Sequence, residues 1–241
     1  MSIAREGWPY IASLLGLAAV LAAARLAWPA GVVAALGLFT AFFFRDPERA
    51  IPQGARLVLS PADGRVVKVT RAPDANPLGP GTQQVSIFLS VFDVHVNRAP
   101  IAGRVARVDY SRGEFLPAFD DKASLRNEQN SVVVEQERAR VAFKQIAGLI
   151  ARRIVFRKRV GDLVERGERV GMIKFGSRVD VFVAEGVSLR VKLGDRLTGG
   201  VSVIGELPRR NASPPDACGA APRSCPACSR WATCSLGSGP W

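Results

Sequence analysis

Residues 170–183 read Val-Gly-Met-Ile-Lys-Phe-Gly-Ser-Arg-Val-Asp-Val-Phe-Val, which places one Gly-Ser pair between two apolar runs. Such runs are typical of β-strands, and Gly with Ser is a common pair for the turn between them. A tight turn could also hold the hydroxyl of Ser177 beside the carbonyl of Gly176, where a base would let it attack its own backbone. Glycine has no Cβ to obstruct that approach. The residues alone leave both interpretations open, an ordinary turn and a self-cleavage site.

The charge balance of the chain predicts an anionic partner. Among 241 residues, 33 are Lys or Arg and 21 are Asp or Glu, which gives a formal net charge of +12. Such an excess fits nucleic acid or an anionic membrane surface. The length allows one sizeable domain with appendages, whose core does not depend on disulfides.

The N-terminal region favours the membrane. Residues 8–44 are almost wholly apolar, with Arg25 near the middle. Each arm is shorter than the roughly 20 residues of a typical spanning helix. We therefore predict a helical hairpin over 1–45 that crosses or re-enters the bilayer, and a cleaved signal peptide is disfavoured because the apolar run is too long. Arg5 and Arg45 flank the hairpin, so the positive-inside rule places all later residues on the cytoplasmic side of the cell membrane.

The region after the hairpin has the alternating apolar pattern of strands. Gly, Pro and Asn separate three clear strand candidates, around 66–69, 85–89 and 132–134. We therefore predict a mainly β soluble domain over 46–208. The only plausible helix in this domain is around 145–153, and Gly148 weakens it.

Two internal echoes predict a duplicated architecture. The sequence at 61–66, Pro-Ala-Asp-Gly-Arg-Val, returns at 100–105 as Pro-Ile-Ala-Gly-Arg-Val, and Gly-Asp-Leu-Val at 161–164 returns at 194–197 as Gly-Asp-Arg-Leu. Strands and Gly-Asp turns in this order favour a β-sandwich or a barrel-sandwich hybrid of the biotinyl or lipoyl kind. In such a fold, residues 175–178 would lie on an exposed or half-exposed turn.

Two residues are candidates for proton transfer. His95 is the only histidine in the chain, so it is the only side chain whose ordinary pKa suits proton transfer near neutral pH. Asp63 is the second candidate, because the repeated segment at 100–105 has Ala102 at the equivalent position and so lacks the aspartate. Each also has a structural interpretation. His95 could be a core histidine that pairs with its neighbour Asp93, and Asp63 could be a turn aspartate.

Taken in order, the motifs of the chain resemble the short form of phosphatidylserine decarboxylase proenzymes over about residues 1–208. The resemblance rests on the hairpin followed by five separated motifs, which are more specific together than any one alone. They are Phe44-Arg45-Asp46-Pro47-Glu48-Arg49, Ser60-Pro61-Ala62-Asp63-Gly64, the Phe-Leu-Ser-x-x-Asp-x-His segment at 88–95, Gln145-Ile146-Ala147-Gly148 with Arg152-Arg153, and Phe175-Gly176-Ser177.

The resemblance implies a zymogen that makes its own cofactor. Autocatalytic cleavage between Gly176 and Ser177 would give a β chain, 1–176, and an α chain, 177–241, which stay associated. Ser177 would become a covalent pyruvoyl group that forms a Schiff base with the amine of phosphatidylserine, and decarboxylation would give phosphatidylethanolamine. Asp63 and His95 match family residues of maturation and proton transfer, with His95 as the acid that protonates the substrate carbon and Asp63 as a helper in maturation. No metal and no nucleic acid is implied, and the oligomeric state is left open.

One position departs from the family pattern. Some longer members carry a second histidine three positions after the first, whereas Arg98 stands there in this chain. Maturation would then depend on Asp63, on His95, or on both. Four arginines are candidates for contacts with the lipid phosphate, because guanidinium groups suit such oxyanions; they are Arg98, Arg152, Arg153 and Arg178.

The C-terminal region and three other functions complete the predictions. Residues 209–241 are rich in Pro, Ser and Cys and contain all four cysteines. Although Cys225-x-x-Cys228 could bind zinc, we predict a disordered tail.

The alternative functions are a membrane-tethered carrier or adaptor, a decarboxylase of a related serine phospholipid, and a nucleic-acid binder. Asp121-Lys122-Ala123 resembles a lipoyl-acceptor tripeptide but lies outside 160–206, where such a lysine belongs. Few aromatic residues accompany the basic ones, which disfavours nucleic acid.

Overall fold

A computed structural model describes residues 2–113, 127–137, 139–148, 153–174 and 177–208. Four of the features named above lie outside these residues, namely Gly176, Arg152, the tripeptide at 121–123 and the tail at 209–241.

Two apolar helices form the predicted N-terminal hairpin. Helix α1 spans Trp8–Ala23 after a 3-10 turn at Arg5–Gly7, and helix α2 spans Ala27–Phe43. Arg25 adopts a left-handed backbone with φ of 60° at the break between the helices. By length and composition the segment Arg5–Ala23 is sufficient to cross a membrane, whereas α2 is shorter.

The rest of the described chain is mainly β, as predicted. Its strands are β1 Ser2–Ile3, β2 Arg45–Asp46, β3 Leu57–Leu59, β4 Gly64–Arg71, β5 Thr82–Leu89, β6 Val96–Arg98, β7 Gly103–Ser111, β8 Gln129–Gln136, β9 Ala139–Ala147, β10 Ile154–Phe156, β11 Leu163–Val164, β12 Arg169–Ile173, β13 Ser177–Ala184, β14 Ser188–Leu189, β15 Arg196–Leu197 and β16 Val203–Glu206.

Among the described residues, β1 and β2 form a two-stranded sheet, and three larger antiparallel sheets build the rest of the domain. The large sheet has the order β11-β7-β8-β9-β13-β5-β4-β15, and two small sheets have the orders β10-β12-β6 and β14-β16-β3. One hydrophobic core takes side chains from all three sheets, for example Val181 of β13, Ile173 of β12 and Ile204 of β16. The three sheets therefore share this main core, while Val133, Ala142 and Phe182 of the large sheet belong to a smaller cluster.

The strand pairing follows an approximate internal two-fold. We call β6 to β12, residues 96–173, the continuous repeat, and β3 to β5 with β13 to β16, residues 57–89 and 177–206, the split repeat. Each small sheet belongs to one repeat, and the large sheet contains both, with β9 of the continuous repeat beside β13 of the split repeat at its centre. The continuous repeat is thus inserted between two parts of the other.

The echoes in the sequence occupy equivalent places in the two repeats. Gly64 pairs with Leu197 in one, and Gly103 pairs with Val164 in the other. Both glycines have positive φ, and a side chain at either would collide with the carbonyl oxygen of a neighbouring strand, 2.1 and 2.3 Å from the added carbon. The shared glycines therefore let two strands approach closely, and the prediction of duplicated hairpins is confirmed.

Two predictions about local structure are wrong. Residues 145–147 are not helical, because β9 lies between β8 and β13 and forms backbone ladders with both. Ser177 and Arg178 do not lie on an exposed turn, since both are buried at the start of β13. This strand lies between β9 and β5 near the centre of the large sheet, so both of its edges are paired.

The insertion determines where Ser177 lies. In the continuous repeat, Gln136 of β8 pairs with Ala139 of β9 across a short hairpin. At the equivalent place in the split repeat, Leu89 of β5 pairs with Ser177 of β13, although 87 residues separate them in the chain. Ser177 therefore begins β13 where the chain has returned from the continuous repeat, at the place that Ala139 occupies after the hairpin of the other repeat.

Candidate active site

Ser177 is a buried serine with an unused hydroxyl. As the first residue of β13 it pairs with Leu89 on one side and Ala147 on the other. Residues that alternate along a strand share a face, so Ser177 lies on the same face as Val179, which belongs to the core. Its Oγ is buried and has no hydrogen-bond partner among the residues that the structure describes. A buried polar atom without a partner costs free energy, so such an atom is a candidate for function.

His95 is fully buried and has one free ring nitrogen. Its Nδ1 lies 2.9 Å from the carbonyl oxygen of Asp93 and must donate, because a carbonyl can only accept. The neutral ring therefore carries its proton on Nδ1 and leaves a lone pair on Nε2. Within the described part of the chain, Nε2 is buried without a partner. His95 is thus oriented as a proton acceptor.

The topology brings His95 and Ser177 to one junction. Two connections join the large sheet to the continuous repeat's small sheet in this region, one from Leu89 of β5 to Val96 of β6 and one from Ile173 of β12 to Ser177 of β13. Leu89 faces Ser177 at one end of these connections. At the other end, the N–H of Ile173 donates to the carbonyl of His95 over 3.3 Å. The serine and the histidine therefore lie at the two ends of the same short connections.

Burial keeps His95 neutral. Loss of solvent is the main reason that the pKa of His95 falls to about 4, and the charge of Arg45 acts in the same direction. The hydrogen bond to Asp93 and the carboxylates of Asp93 and Asp63 raise the pKa but are outweighed. The ring of Phe43, the last residue of α2, contributes to this burial with a centroid 4.3 Å from that of the imidazole. The helical hairpin is therefore part of the environment of the histidine.

Asp63 is held by two partners. Its carboxylate accepts hydrogen bonds from Arg49 at 2.6 and 2.8 Å and from the backbone N–H of Gly199 at 2.7 Å. Only 15% of the Asp63 side chain and 8% of the Arg49 side chain are exposed. Because its charge acts on the pKa of His95, Asp63 belongs to the same electrostatic environment.

The candidate arginines have different surroundings. Arg98 is buried and donates to Asp46, to Gly167 and to Pro47, and Arg178 is buried and donates to Asp180 and Ser86. These contacts favour a structural role for both.

Arg153, in contrast, is exposed, and its carbonyl accepts from the N–H of Lys174 at 3.3 Å. Contact of any of these arginines with a lipid phosphate stays a prediction.

Sequence reasoning missed three contributors to this region. Arg49 was identified only as the end of the Phe-Arg-Asp-Pro-Glu-Arg run, and nothing in that run indicated its pairing with Asp63. Phe43 was part of an apolar arm, without a sign that its ring would reach His95. Asn97 follows His95 by two residues and is connected to Gln145 by a buried hydrogen bond of 2.8 Å. The spacing of His95 and Asn97 on one face of a strand was the only available signal.

Comparison with known proteins shows the family of the chain. The family model for phosphatidylserine decarboxylase matches residues 36–205. The chain belongs to the phosphatidylserine decarboxylase family. It is 47% identical over 209 residues to the phosphatidylserine decarboxylase proenzyme of Symbiobacterium thermophilum, an alignment that covers 86% of this chain and 96% of that protein. The proenzyme of Solibacter usitatus is 51% identical over 193 residues, with 78% and 91% covered.

Family membership identifies the chain as an enzyme, a decarboxylase that acts on phosphatidylserine. The matched segment of the phosphatidylserine decarboxylase family contains Asp63, His95 and Ser177. It begins inside α2, shortly before Phe43. The packing of Phe43 on His95 therefore lies within the part of the chain that matches the family.

Proposed function

We propose that the protein decarboxylates phosphatidylserine to phosphatidylethanolamine with a pyruvoyl group, which it makes from Ser177 by cleaving the bond between Gly176 and Ser177. The observation that carries this proposal is the buried Ser177 hydroxyl, which has no partner among the described residues and lies at the same junction as the unprotonated Nε2 of His95. A nucleophile and a base at one place fit the chemistry of self-cleavage.

The maturation step can be written with these groups. His95 Nε2 takes the hydroxyl proton while Ser177 Oγ bonds to the preceding carbonyl carbon, and the proton then goes to the departing backbone nitrogen. The resulting ester replaces the peptide bond. Loss of the Cα proton of residue 177 breaks its Cβ–O bond and releases the upstream chain as a carboxylate. Water then displaces ammonia from the dehydroalanine that remains, which leaves the pyruvoyl group at the start of the α chain.

The surroundings of residue 177 fit a pyruvoyl group. The position is buried on the core face of β13, so a group formed there is shielded from water. When present, the pyruvoyl group serves as a sink for the electrons that remain after CO₂ leaves. His95 is neutral near pH 7, so it can first take a proton from the substrate ammonium and then return a proton to the carbon that has lost CO₂. Asp63 supports this exchange through its negative charge.

The position of the hairpin supports lipid as the substrate. Phe43 contacts His95, and Lys174, just before the junction, lies 3.3 Å from the hydroxyl of Tyr10 in α1. A membrane that holds the hairpin would therefore lie close to the junction. We propose that the domain lies on the cytoplasmic face of the cell membrane, where the basic chain meets anionic lipid. Among the described candidates, the exposed Arg153 is best placed for the lipid phosphate.

Intact mass tests the proposal directly. The 25.8 kDa chain should divide into fragments of about 19 and about 7 kDa, in proportion to their lengths, and the smaller should lack a free amine at its N-terminus. Borohydride with phosphatidylserine should trap substrate on the small fragment only. A purified enzyme that is active as one uncut chain would contradict the proposal, and an uncut chain without activity would favour a carrier. Preference for another serine phospholipid would change the substrate and leave the chemistry intact.

A further inference from the structure

A third buried polar atom without a partner lies at this junction, and the roles above do not use it. Asn97 is fully buried in β6, and its Nδ2 group makes no hydrogen bond within the described ranges. An amide N–H₂ group left in this state lowers the free energy of unfolding, so it is a candidate for function. Asn97 and His95 are two residues apart, so their side chains leave the chain on the same side.

A relay of amides determines which end of Asn97 is free. Asn130 Nδ2 donates to Gln145 Oε1 at 2.9 Å, and Gln145 Nε2 donates to Asn97 Oδ1 at 2.8 Å. All three side chains are at least 98% buried. Because Asn97 already uses its oxygen as an acceptor for Gln145, the group it has left to offer is a donor. The relay therefore presents an N–H₂ group.

The sheet register places this donor beside Ser177. Gln145 of β9 pairs with Val179 of β13, and the next pair on the same face is Ala147 with Ser177. Gln145 and Ser177 are thus diagonal neighbours, whose Cβ atoms are about 7 to 8 Å apart in such a pairing. Asn97 binds the end of the Gln145 side chain and lies on the strand that follows His95. The base and the donor therefore lie on one segment, at the start of β6, and the relay through Gln145 of β9 brings this segment toward Ser177 of β13.

Packing does not require the relay. The approximate two-fold matches Asn97 with Val58 and Gln145 with Val183, which are both buried in the core of the split repeat. The same arrangement of strands therefore packs with valine at both equivalent positions. The polar pair is found only in the repeat that faces the junction with His95, which indicates a role in chemistry.

We propose that Asn97 Nδ2 is the hydrogen-bond donor that stabilises the oxyanion formed when Ser177 Oγ attacks the preceding carbonyl. Attack turns the carbonyl oxygen into an alkoxide for as long as the tetrahedral intermediate lasts, and a donor fixed in advance lowers the energy of that state. The alkoxide reforms a carbonyl when the C–N bond breaks, so no further reactant is needed. The inference rests on the self-cleavage proposed above and names a residue that assists it.

The rate of self-cleavage tests this role without any measurement of decarboxylase activity. Full-length chains would be labelled briefly during cell-free synthesis with lipid vesicles, and fragment formation would be followed during a chase. Asn97→Leu and Asn97→Asp should each cleave about 10² to 10³-fold more slowly than the wild type, the usual cost of one lost oxyanion donor. An ionised Asp supplies only acceptors at this position, so it cannot replace the amide at neutral pH. For Asn97→Leu the dependence of the rate on pH should keep its shape, because His95 still acts as the base.

Asn127→Leu is a matched control for the loss of a buried amide. Asn127 is 1% exposed and its Nδ2 donates to Ala147 at 2.7 Å, in the same strand as Gln145. Thermal unfolding in a Ser177→Ala background would compare the stability of all variants as single chains. Asn97→Leu should cleave far more slowly than Asn127→Leu even where the two are equally stable. Equal rates for these two variants would overturn the role of Asn97, and so would Asn97→Asp cleaving as fast as the wild type.

Gln145→Glu tests the direction of the relay with Asn97 still present. An ionised Glu would accept from both Asn130 and Asn97, which turns the Asn97 oxygen toward the junction, and we expect cleavage to slow at neutral pH and recover in acid, where a protonated Glu can donate again. A wild-type rate at all pH values would contradict the inference. If the wild type itself gave no fragments, the proposed self-cleavage would fail first, and that outcome is distinct from these.

Discussion

The two repeats are built from equivalent strands but differ at the residues proposed to take part in the chemistry. Gly64 and Gly103 hold equivalent strand crossings, and Asp195 and Asp162 accept equivalent backbone bonds through their carbonyls, both of 2.9 Å. These shared residues make turns and close approaches, so they explain why both halves fold in the same way. The differences lie near the junction where the chain passes from one repeat to the other.

Each repeat supplies part of the candidate site. The split repeat has Asp63 and Ser177 where the continuous repeat has Ala102 and Ala139. The continuous repeat has Asn97 and Gln145 where the split repeat has valines, and His95 immediately precedes its first strand. Neither repeat contains a complete set. Duplication thus supplied two similar scaffolds, and the site arises where their unlike residues meet.

The helical hairpin also distinguishes the two repeats. Phe43 and Phe44 form a small core with Val94, Val96 and Met172, which lie in or just before the continuous repeat. Glu6 pairs with Arg157 of the same repeat at 2.6 Å. The helical hairpin is therefore packed on the continuous repeat and on the segment just before it, which contains His95.

Ser177→Ala should have the largest effect, because it gives the split repeat the residue found at 139. We expect a chain that stays uncut and inactive, measured by intact mass and by release of CO₂ from phosphatidylserine. Ser60→Ala is the control, since Ser60 is also buried, its hydroxyl is already bonded to the Ala62 carbonyl at 2.7 Å, and alanine stands at the equivalent position 99. It should cleave normally. Fragments from Ser177→Ala would refute the role of the hydroxyl.

His95→Gln tests the contribution of the continuous repeat. We expect slower self-cleavage and, in the fraction that does cleave, decarboxylation reduced about 10² to 10⁴-fold, the usual contribution of a positioned acid or base. The processed enzyme would be isolated by mass before turnover is measured, so that the two steps are separated. Normal cleavage together with near wild-type turnover would reduce His95 to a core histidine.

Asp63→Asn tests whether the negative charge of Asp63, in the split repeat, does more than form the ion pair with Arg49. Breaking a buried ion pair typically costs about 3 to 5 kcal/mol, so both Asp63→Asn and Arg49→Met should lower the free energy of unfolding in urea. We expect Asp63→Asn to slow self-cleavage more than Arg49→Met at temperatures where the two are equally stable. Equal rates would show that Asp63 serves only the ion pair.

The smallest effect concerns acid stability. The pKa of His95 is about 4 in the folded chain and about 6.5 when exposed, so acid favours the unfolded state, and up to about 3 kcal/mol of stability should be lost as the pH falls through this window. Phe43→Ala should admit water, raise the pKa of His95 and reduce this loss. Phe39→Ala is the control, because Phe39 contacts Phe92 and is partly exposed. Urea unfolding at pH 7 and pH 4 would measure both, and identical pH dependence would contradict the shielding by Phe43.

The sequence by itself determined the mainly β domain, the apolar hairpin, the duplicated Gly-containing turns and the ordered motifs of the family. These are local signals, since apolar alternation, left-handed glycines and short spacings act within a few residues. It also provided Ser177, His95 and Asp63 as candidates, with a structural interpretation beside each.

Only the tertiary structure decided which polar atoms lack a partner within the part of the chain that it describes. Ser177 Oγ, His95 Nε2 and Asn97 Nδ2 are buried by strands that are far apart in the chain, and the ring of Phe43 reaches His95 from 52 residues away. Desolvation and hydrogen-bond satisfaction depend on all the groups around an atom, so no local pattern encodes them. For the same reason the expectation of an exposed turn at 175–178 was wrong for Ser177 and Arg178, since pairing on both edges of β13 buries them.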